Sequence, residues 1–126
     1  MTPFGARMRS LRAARGITLT EMAAALQVSP AYLSALEHGR RGRPPPGLVH
    51  QVNAFFGLIW DDAEEVAQLA RLSHPRVVLD TAGLPPVATE LANRLAERIR
   101  ALPEGTVAAL LRLLDDQEAS GRGSST

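Results

Sequence analysis

The stretch from Thr18 to Gly42, TLTEMAAALQVSPAYLSALEHGRRG, constrains the fold more than any other part of the chain. It predicts two short helices joined by a tight turn. Thr18 and Glu21 have the spacing of a capping box, in which each side chain accepts a hydrogen bond from a free backbone N–H at the start of a helix. Ser29 is a good N-cap for the second helix, and Gly39 is a typical end signal.

Helices this short cannot bury their own apolar faces. Met22, Ala23 and Leu26 fall on one face of the first helix, and Leu33 and Leu36 fall on one face of the second. The pair must therefore belong to a larger helical bundle, which leaves the outer face of the second helix exposed. This is the helix-turn-helix arrangement, whose second helix enters the major groove of DNA.

The same stretch resembles the helix-turn-helix of the XRE family, the Cro and phage-repressor type. The family pattern is polar-x-x-E-[LM]-A-x-x-x-x-V-S-x-x-x-[LI]-S-x-[LI]-E-x-G. The chain departs from the family at Gln27, where the family often has a glycine that eases a left-handed turn. A glutamine in that conformation costs roughly 1 kcal/mol. The resemblance implies an all-α, five-helix, lambda-repressor-like DNA-binding domain over residues 1–73. The matching residues are Thr18, Glu21, Met22, Ala23, Val28, Ser29, Leu33, Ser34, Leu36, Glu37 and Gly39.

The resemblance also implies which residues contact DNA. The motif positions that face base edges hold Pro30, Ala31, Tyr32 and Ala35. The positions that lie near phosphates hold Thr18, Leu19, Thr20, Ser29 and His38. A further implication is a partly buried ion pair between Arg12 and Glu37, the alternative being two ordinary surface charges.

The residues predicted to face the bases include no Arg, Gln or Asn, the side chains that form bidentate contacts with bases. Ala31, Ala35 and the ring of Tyr32 can contact thymine methyl groups, and the Tyr32 hydroxyl is one donor or acceptor. We therefore expect discrimination to come largely from the shape of the DNA and the fit of its backbone. The alternative for Tyr32 is a core aromatic.

Charge is distributed unevenly along the chain. Residues 1–59 contain seven arginines and two carboxylates, a net charge of +5, whereas residues 60–126 contain seven arginines and eleven carboxylates, a net charge of −4. A basic first half indicates a polyanionic partner for that half alone. Arg40, Arg41 and Arg43 follow the second helix in a loop stiffened by three prolines. They are predicted to clamp phosphates, the alternative being a solvated charge run.

The second half predicts a region for self-association over residues 74–120, followed by a disordered tail at 121–126. Residues 76–81 are the one β-like stretch, either extended or paired with a copy in a second subunit. Two amphipathic helices follow; they either fold back on the first domain or bury their apolar faces in a twin, and we favour the twin. The predicted dimerisation residues are Val77, Val78, Leu79, Leu91, Leu95, Ile99, Leu110, Leu111 and Leu114.

Catalysis has little support in the sequence. The chain has no cysteine, its three histidines (His38, His50 and His74) lack metal-binding spacing, and no phosphate-binding glycine loop or nucleophile motif occurs. We predict no enzyme activity, no metal and no cofactor. No apolar run approaches the ~20 residues needed to cross a bilayer, and the first residues lack an apolar signal core. The expectation is a cytoplasmic, nucleoid-associated protein without a membrane partner.

The sequence thus predicts a transcriptional regulator, most simply a homodimeric repressor that occludes a promoter. A dimer would read a palindromic double-stranded operator with its recognition helices one DNA turn, ~34 Å, apart. Two alternatives within DNA binding are an antitoxin that also neutralises a toxin, and a repressor inactivated by a metallopeptidase. An alternative from another class is a protein-interaction adaptor that has lost DNA binding.

Overall fold

The computed structural model describes residues 1–123, and over that range it contains seven α-helices and no β-strand. The chain divides into two compact units, the first spanning Met1–Val78 and the second starting at Leu79. The all-α prediction is confirmed. The first unit extends five residues past the boundary expected after residue 73. The helices are α1 (Pro3–Arg15), α2 (Leu19–Leu26), α3 (Pro30–Glu37), α4 (Pro46–Phe56), α5 (Trp60–Arg71), α6 (Pro86–Arg98) and α7 (Glu104–Gly123).

The first five helices surround one apolar core. Helix α1 packs against α3 and α5, while α2 packs against α3 and α4. Every one of these helices contributes buried side chains, so none of them is an appendage. The core residues are Phe4, Met8, Met22, Ala23, Leu26, Leu33, Leu36, Leu48, Val49, Val52, Phe56, Val66 and Ala70.

The start signals of α2 and α3 are used as the sequence predicts. The Glu21 N–H donates to Thr18 Oγ1 at 3.1 Å, and the Thr18 N–H donates to Glu21 Oε1 at 3.3 Å, which completes the capping box. The Tyr32 N–H donates to Ser29 Oγ at 3.0 Å. Both helices therefore begin where side chains replace the missing backbone acceptors.

The turn between α2 and α3 carries the strain that the sequence predicts at Gln27. This residue adopts the left-handed conformation, with φ 59° and ψ 40°. Its N–H donates to the Ala24 carbonyl at 3.1 Å, and the Val28 N–H donates to the Ala23 carbonyl at 3.0 Å. These two bonds define a Schellman motif, which ends α2 and turns the chain into α3.

Glu37 is the last residue of α3. Arg12 of α1 binds its side chain, and Thr2, the residue before α1, binds its backbone. Its carboxylate forms a bidentate ion pair with Arg12, in which Nη1 donates to Oε2 and Nη2 donates to Oε1, the latter at 3.0 Å. Its backbone carbonyl accepts the N–H of Thr2 at 2.9 Å and the Thr2 hydroxyl at 3.2 Å. Glu37 is 1% exposed and Arg12 is 8% exposed, so the pair lies almost entirely out of water.

A glycine allows α1 to approach the end of α3 so closely. An ideal Cβ built on Gly5 would lie 2.8 Å from both the Cα and the carbonyl carbon of Glu37. Backbone atoms cannot shift as a flexible side chain can, so any larger residue would push the two helices apart. No pattern in the sequence indicates this role of Gly5.

The first unit continues past α5 because Ser73 joins the end of that helix to the start of α1. The Phe4 N–H donates to Ser73 Oγ at 2.9 Å, and Ser73 is 2% exposed. After this contact, residues 77–81 form no helix and no strand pairing in the described part of the chain. Val77 and Val78 are 73% and 94% exposed.

The second unit is built from α6 and α7. No residue of α6 is buried, and apolar side chains of both helices are exposed to solvent. Helix α7 extends to Gly123, three residues into the segment expected to be a disordered tail, and residues 124–126 lie outside the described residues. No helix in the described part of the chain is long and apolar enough to span a membrane.

We expect Glu37→Gln to lower the free energy of unfolding of the first unit by about 3–5 kcal/mol. The substitution leaves the Arg12 guanidinium buried without a carboxylate, which costs far more than losing an exposed ion pair. Glu65→Gln is the matched control, because Glu65 is half exposed and lies 3.6 Å from Arg7 Nε; its expected cost is below about 1 kcal/mol. Urea unfolding followed by circular dichroism measures both, and equal losses would contradict the account.

Candidate nucleic-acid interface

Helix α3 lies at the surface of the first unit and exposes one face. Leu33 and Leu36 point into the core and are 0% and 2% exposed. On the opposite side Pro30 and Ala31 are exposed, and Ala35 is half-buried. An eight-residue helix is held here by its buried face, not by its own stability, so its outer face is free to contact another molecule.

Tyr32 lies between the core and the solvent. Its side chain is half-buried and packs against the apolar core. The guanidinium of Arg41 lies over the ring, with Cζ 5.5 Å from the ring centroid, a distance at which the cation is attracted to the ring face. Tyr32 is therefore neither a fully buried core aromatic nor a freely projecting side chain, and it holds one arginine of the following loop against α3.

The loop that follows α3 carries three positive charges. Arg40, Arg41 and Arg43 are all exposed, and none forms an ion pair with a carboxylate among residues 1–123. The Arg40 N–H donates to the Ala35 carbonyl at 2.9 Å, which fixes the start of the loop. Pro44 is buried and fixes its end. We call Arg40, Arg41 and Arg43 the arginine loop.

Residues predicted to lie near phosphates occupy the helix starts beside α3. Thr18, Thr20 and Ser29 are exposed, although the hydroxyls of Thr18 and Ser29 already accept backbone N–H groups. Leu19 differs, because its side chain is half-buried and packs against the core. A leucine side chain has no hydrogen-bond donor, so the contact predicted at Leu19 is one for its backbone N–H.

His38, at the end of α3, is exposed and is oriented by that helix. Its Nδ1 lies 2.9 Å from the Ser34 carbonyl oxygen. A carbonyl can only accept, so Nδ1 carries the proton in this contact, and Nε2 has no partner among the described residues. His38 thus presents one ring nitrogen to solvent at the end of α3, two positions before the arginine loop begins.

All twelve predicted DNA-contacting residues lie in the first unit, on α3 or in the segments before and after it. The contact between Arg41 and Tyr32 was not predicted, since nine residues separate them and no local pattern joins a loop arginine to a helix aromatic. Among the described residues no group of three or more His, Cys, Asp or Glu side chains could hold a metal ion.

Comparison with known proteins identifies this part of the chain. Residues 3–64 match the family model described as a helix-turn-helix domain. These residues form a helix-turn-helix domain. The match spans α1 to α4 and the start of α5 and includes the arginine loop, so the surface described above belongs to the helix-turn-helix domain and not to the second unit.

Two relatives are named as HTH-type transcriptional regulators. The chain is 39% identical over 62 residues to RghRB of Bacillus subtilis, an uncharacterized HTH-type transcriptional regulator. This alignment covers 49% of this chain and 45% of that protein. The chain is 31% identical over 140 aligned residues to the HTH-type transcriptional regulator RamB of Mycobacterium tuberculosis. That alignment covers 99% of this chain and 29% of RamB. The chain thus spans less than half the length of either relative.

No solved structure matches the chain significantly. The helix-turn-helix domain and the two relatives together support a DNA-binding regulator of transcription.

We expect glutamine at all three positions of the arginine loop to weaken DNA binding and to lower its salt dependence. Each phosphate contact contributes about 0.9 to the slope of log K against log salt concentration, so the triple variant should lose about 2–3 from that slope. The probe is a duplex that the wild-type protein selects from a random pool, and fluorescence anisotropy between about 50 and 300 mM salt gives the slope.

The matched control replaces Arg76, Arg100 and Arg112 with glutamine. It removes the same charge from exposed positions outside the helix-turn-helix domain. The control should keep the wild-type slope. If both triple variants lose the same slope, the effect is one of net charge, and the arginine loop is not a phosphate clamp.

Proposed function

We propose that the chain is a sequence-specific transcriptional regulator of the XRE type, acting as a homodimeric repressor that occludes a promoter. The observation that carries this proposal is the pairing of an exposed helix face with free positive charge. Helix α3 offers Pro30 and Ala31 to solvent, and the arginine loop beside it has no carboxylate partner among the described residues. Shape and charge together suit a DNA groove flanked by phosphates.

The chemistry of α3 favours a particular kind of reading. Small side chains at Pro30, Ala31 and Ala35 let the helix approach base edges closely, and they can contact thymine methyl groups. The Tyr32 hydroxyl is the one polar group available among these four positions. Most of the discrimination would then come from DNA deformability and groove shape, supported by phosphate contacts.

The second unit supports self-association. Exposed apolar groups cover α6 and α7, and exposed apolar surfaces of this kind mark interaction sites. Leu91 is 55% exposed, Leu111 is 57% exposed and Leu114 is 60% exposed. The residues proposed for the dimer are Val77, Val78, Leu79, Leu91, Leu95, Ile99, Leu110, Leu111 and Leu114, all exposed or half-buried in one chain.

A dimer suits the proposed function because two helix-turn-helix domains read a palindromic operator better than one. The partners proposed are therefore double-stranded DNA and a second copy of the chain, in the cytoplasm at the nucleoid. The same exposed surface of α6 and α7 also suits a different protein. The exposed surface therefore also favours two other candidates. One is an antitoxin whose α6 and α7 contact a toxin, and the other is a repressor whose α6 and α7 contact a metallopeptidase.

The DNA-binding part is tested by selection from a random duplex pool followed by sequencing and hydroxyl-radical footprinting. We expect enrichment of a two-fold symmetric site, with protection of backbone positions on one face of the duplex. Failure to bind any duplex would leave only the adaptor alternative, and binding that is indifferent to sequence would contradict the proposed sequence specificity.

The dimer is tested by Leu91→Glu combined with Leu114→Glu in the full chain. Both side chains are exposed, so the substitutions should not unfold the monomer. Sedimentation velocity should show a dimer for the wild type and a monomer for the variant. Leu72→Glu, an exposed residue of the first unit, is the control that should stay dimeric. A monomeric wild type, or a dimeric double variant, would contradict the assignment.

A further inference from the structure

The first unit contains a groove that shares Arg43 with the arginine loop and is otherwise not used by the DNA-binding proposal. It is an open groove of about 490 Å³ between the end of the arginine loop, α4 and α5. This volume falls in the range of small-molecule sites. Its walls are mainly apolar and come from Pro44, Pro46, Val49 and Ala70.

The groove also carries positive charge without any negative charge. Arg43, His50 and Arg71 line it, and no carboxylate does. None of the three forms an ion pair among the described residues. Arginine stays charged at any physiological pH, so two permanent cations flank an apolar surface. This combination complements a molecule with one anionic group and a short apolar body.

We propose that this groove binds a small amphiphilic anion, held by Arg43 and Arg71 at its charged group and by the proline and valine walls at its apolar body. We further propose that this binding opposes DNA binding, because Arg43 belongs both to the groove and to the arginine loop. An anion on Arg43 removes one cation from the surface that meets phosphates. This second step depends on the proposed function, whereas the first does not.

Binding is tested without DNA by titrating the full-length ¹⁵N-labelled protein with sodium octanoate and recording amide chemical shifts. We expect shifts concentrated at residues 43–53 and 67–71. Octan-1-ol has the same apolar body without the charge and should bind at least tenfold more weakly. Arg71→Gln and His50→Gln should each weaken octanoate binding, the former about tenfold or more, and Arg76→Gln should leave it unchanged.

Three results would overturn the site. The first is a set of shifts confined to other regions, such as α6 and α7. The second is equal affinity for octanoate and octan-1-ol. The third is unchanged octanoate affinity in Arg71→Gln. Circular dichroism spectra matching the wild type ensure that a loss of binding reflects the groove and not unfolding.

The coupling is tested by measuring the Kd for the selected duplex with octanoate or with sodium acetate at the same ionic strength. Octanoate should raise the wild-type Kd at least threefold, and acetate should not. In Arg71→Gln octanoate should have no effect, while the Kd without octanoate stays at the wild-type value. If Arg71→Gln weakens DNA binding as much as Arg43→Gln, the groove is part of the DNA surface and the proposal fails.

The two proposals fail separately. A protein that binds octanoate at residues 43–53 but selects no duplex keeps the anion site and loses the proposed function. A protein that selects a duplex but gives no groove shifts keeps the proposed function and loses the anion site.

Discussion

The structure depends on the buried contact between Glu37 and Arg12. Glu37 ends α3, and its carboxylate and carbonyl are both bound, the first by Arg12 and the second by Thr2. Charges buried this deeply are tolerated only when they are paired and hydrogen-bonded. The contact therefore fixes the end of a short helix to α1, and Gly5 provides the space for it. A helix of eight residues would otherwise be marginal in water.

This anchoring explains how an exposed helix can be rigid. The apolar face of α3 is buried, its start is capped by Ser29, and its end is fixed at Glu37. Only the outer face and the arginine loop remain in solvent. A surface held in one geometry before binding loses less conformational entropy on contact with DNA. The proposed function uses this rigid surface, and the proposed anion site uses the far end of the same loop.

The sequence predicted the helix starts and the turn, because residues close together in the chain determine them. Three predicted local features are present: the capping box at Thr18, the left-handed turn at Gln27 and the N-cap at Ser29. Each of them involves only residues that lie within five positions of one another. Contacts between distant segments were harder to predict. Only the resemblance implied the Arg12–Glu37 pair. Nothing in the sequence indicated the close approach at Gly5, the contact of the Arg41 guanidinium with the Tyr32 ring, or the half-buried side chain of Leu19. These depend on the angles between helices, which a hydrophobic pattern does not fix.

Hydrogen–deuterium exchange, with and without the selected duplex, tests the central claim most directly, namely that α3 and the arginine loop form the surface that meets DNA. The account predicts that bound DNA slows exchange most over residues 29–43 and leaves α6 and α7 unchanged relative to the free protein. Slowed exchange confined to α6 and α7, with residues 29–43 exchanging as in the free protein, would contradict it.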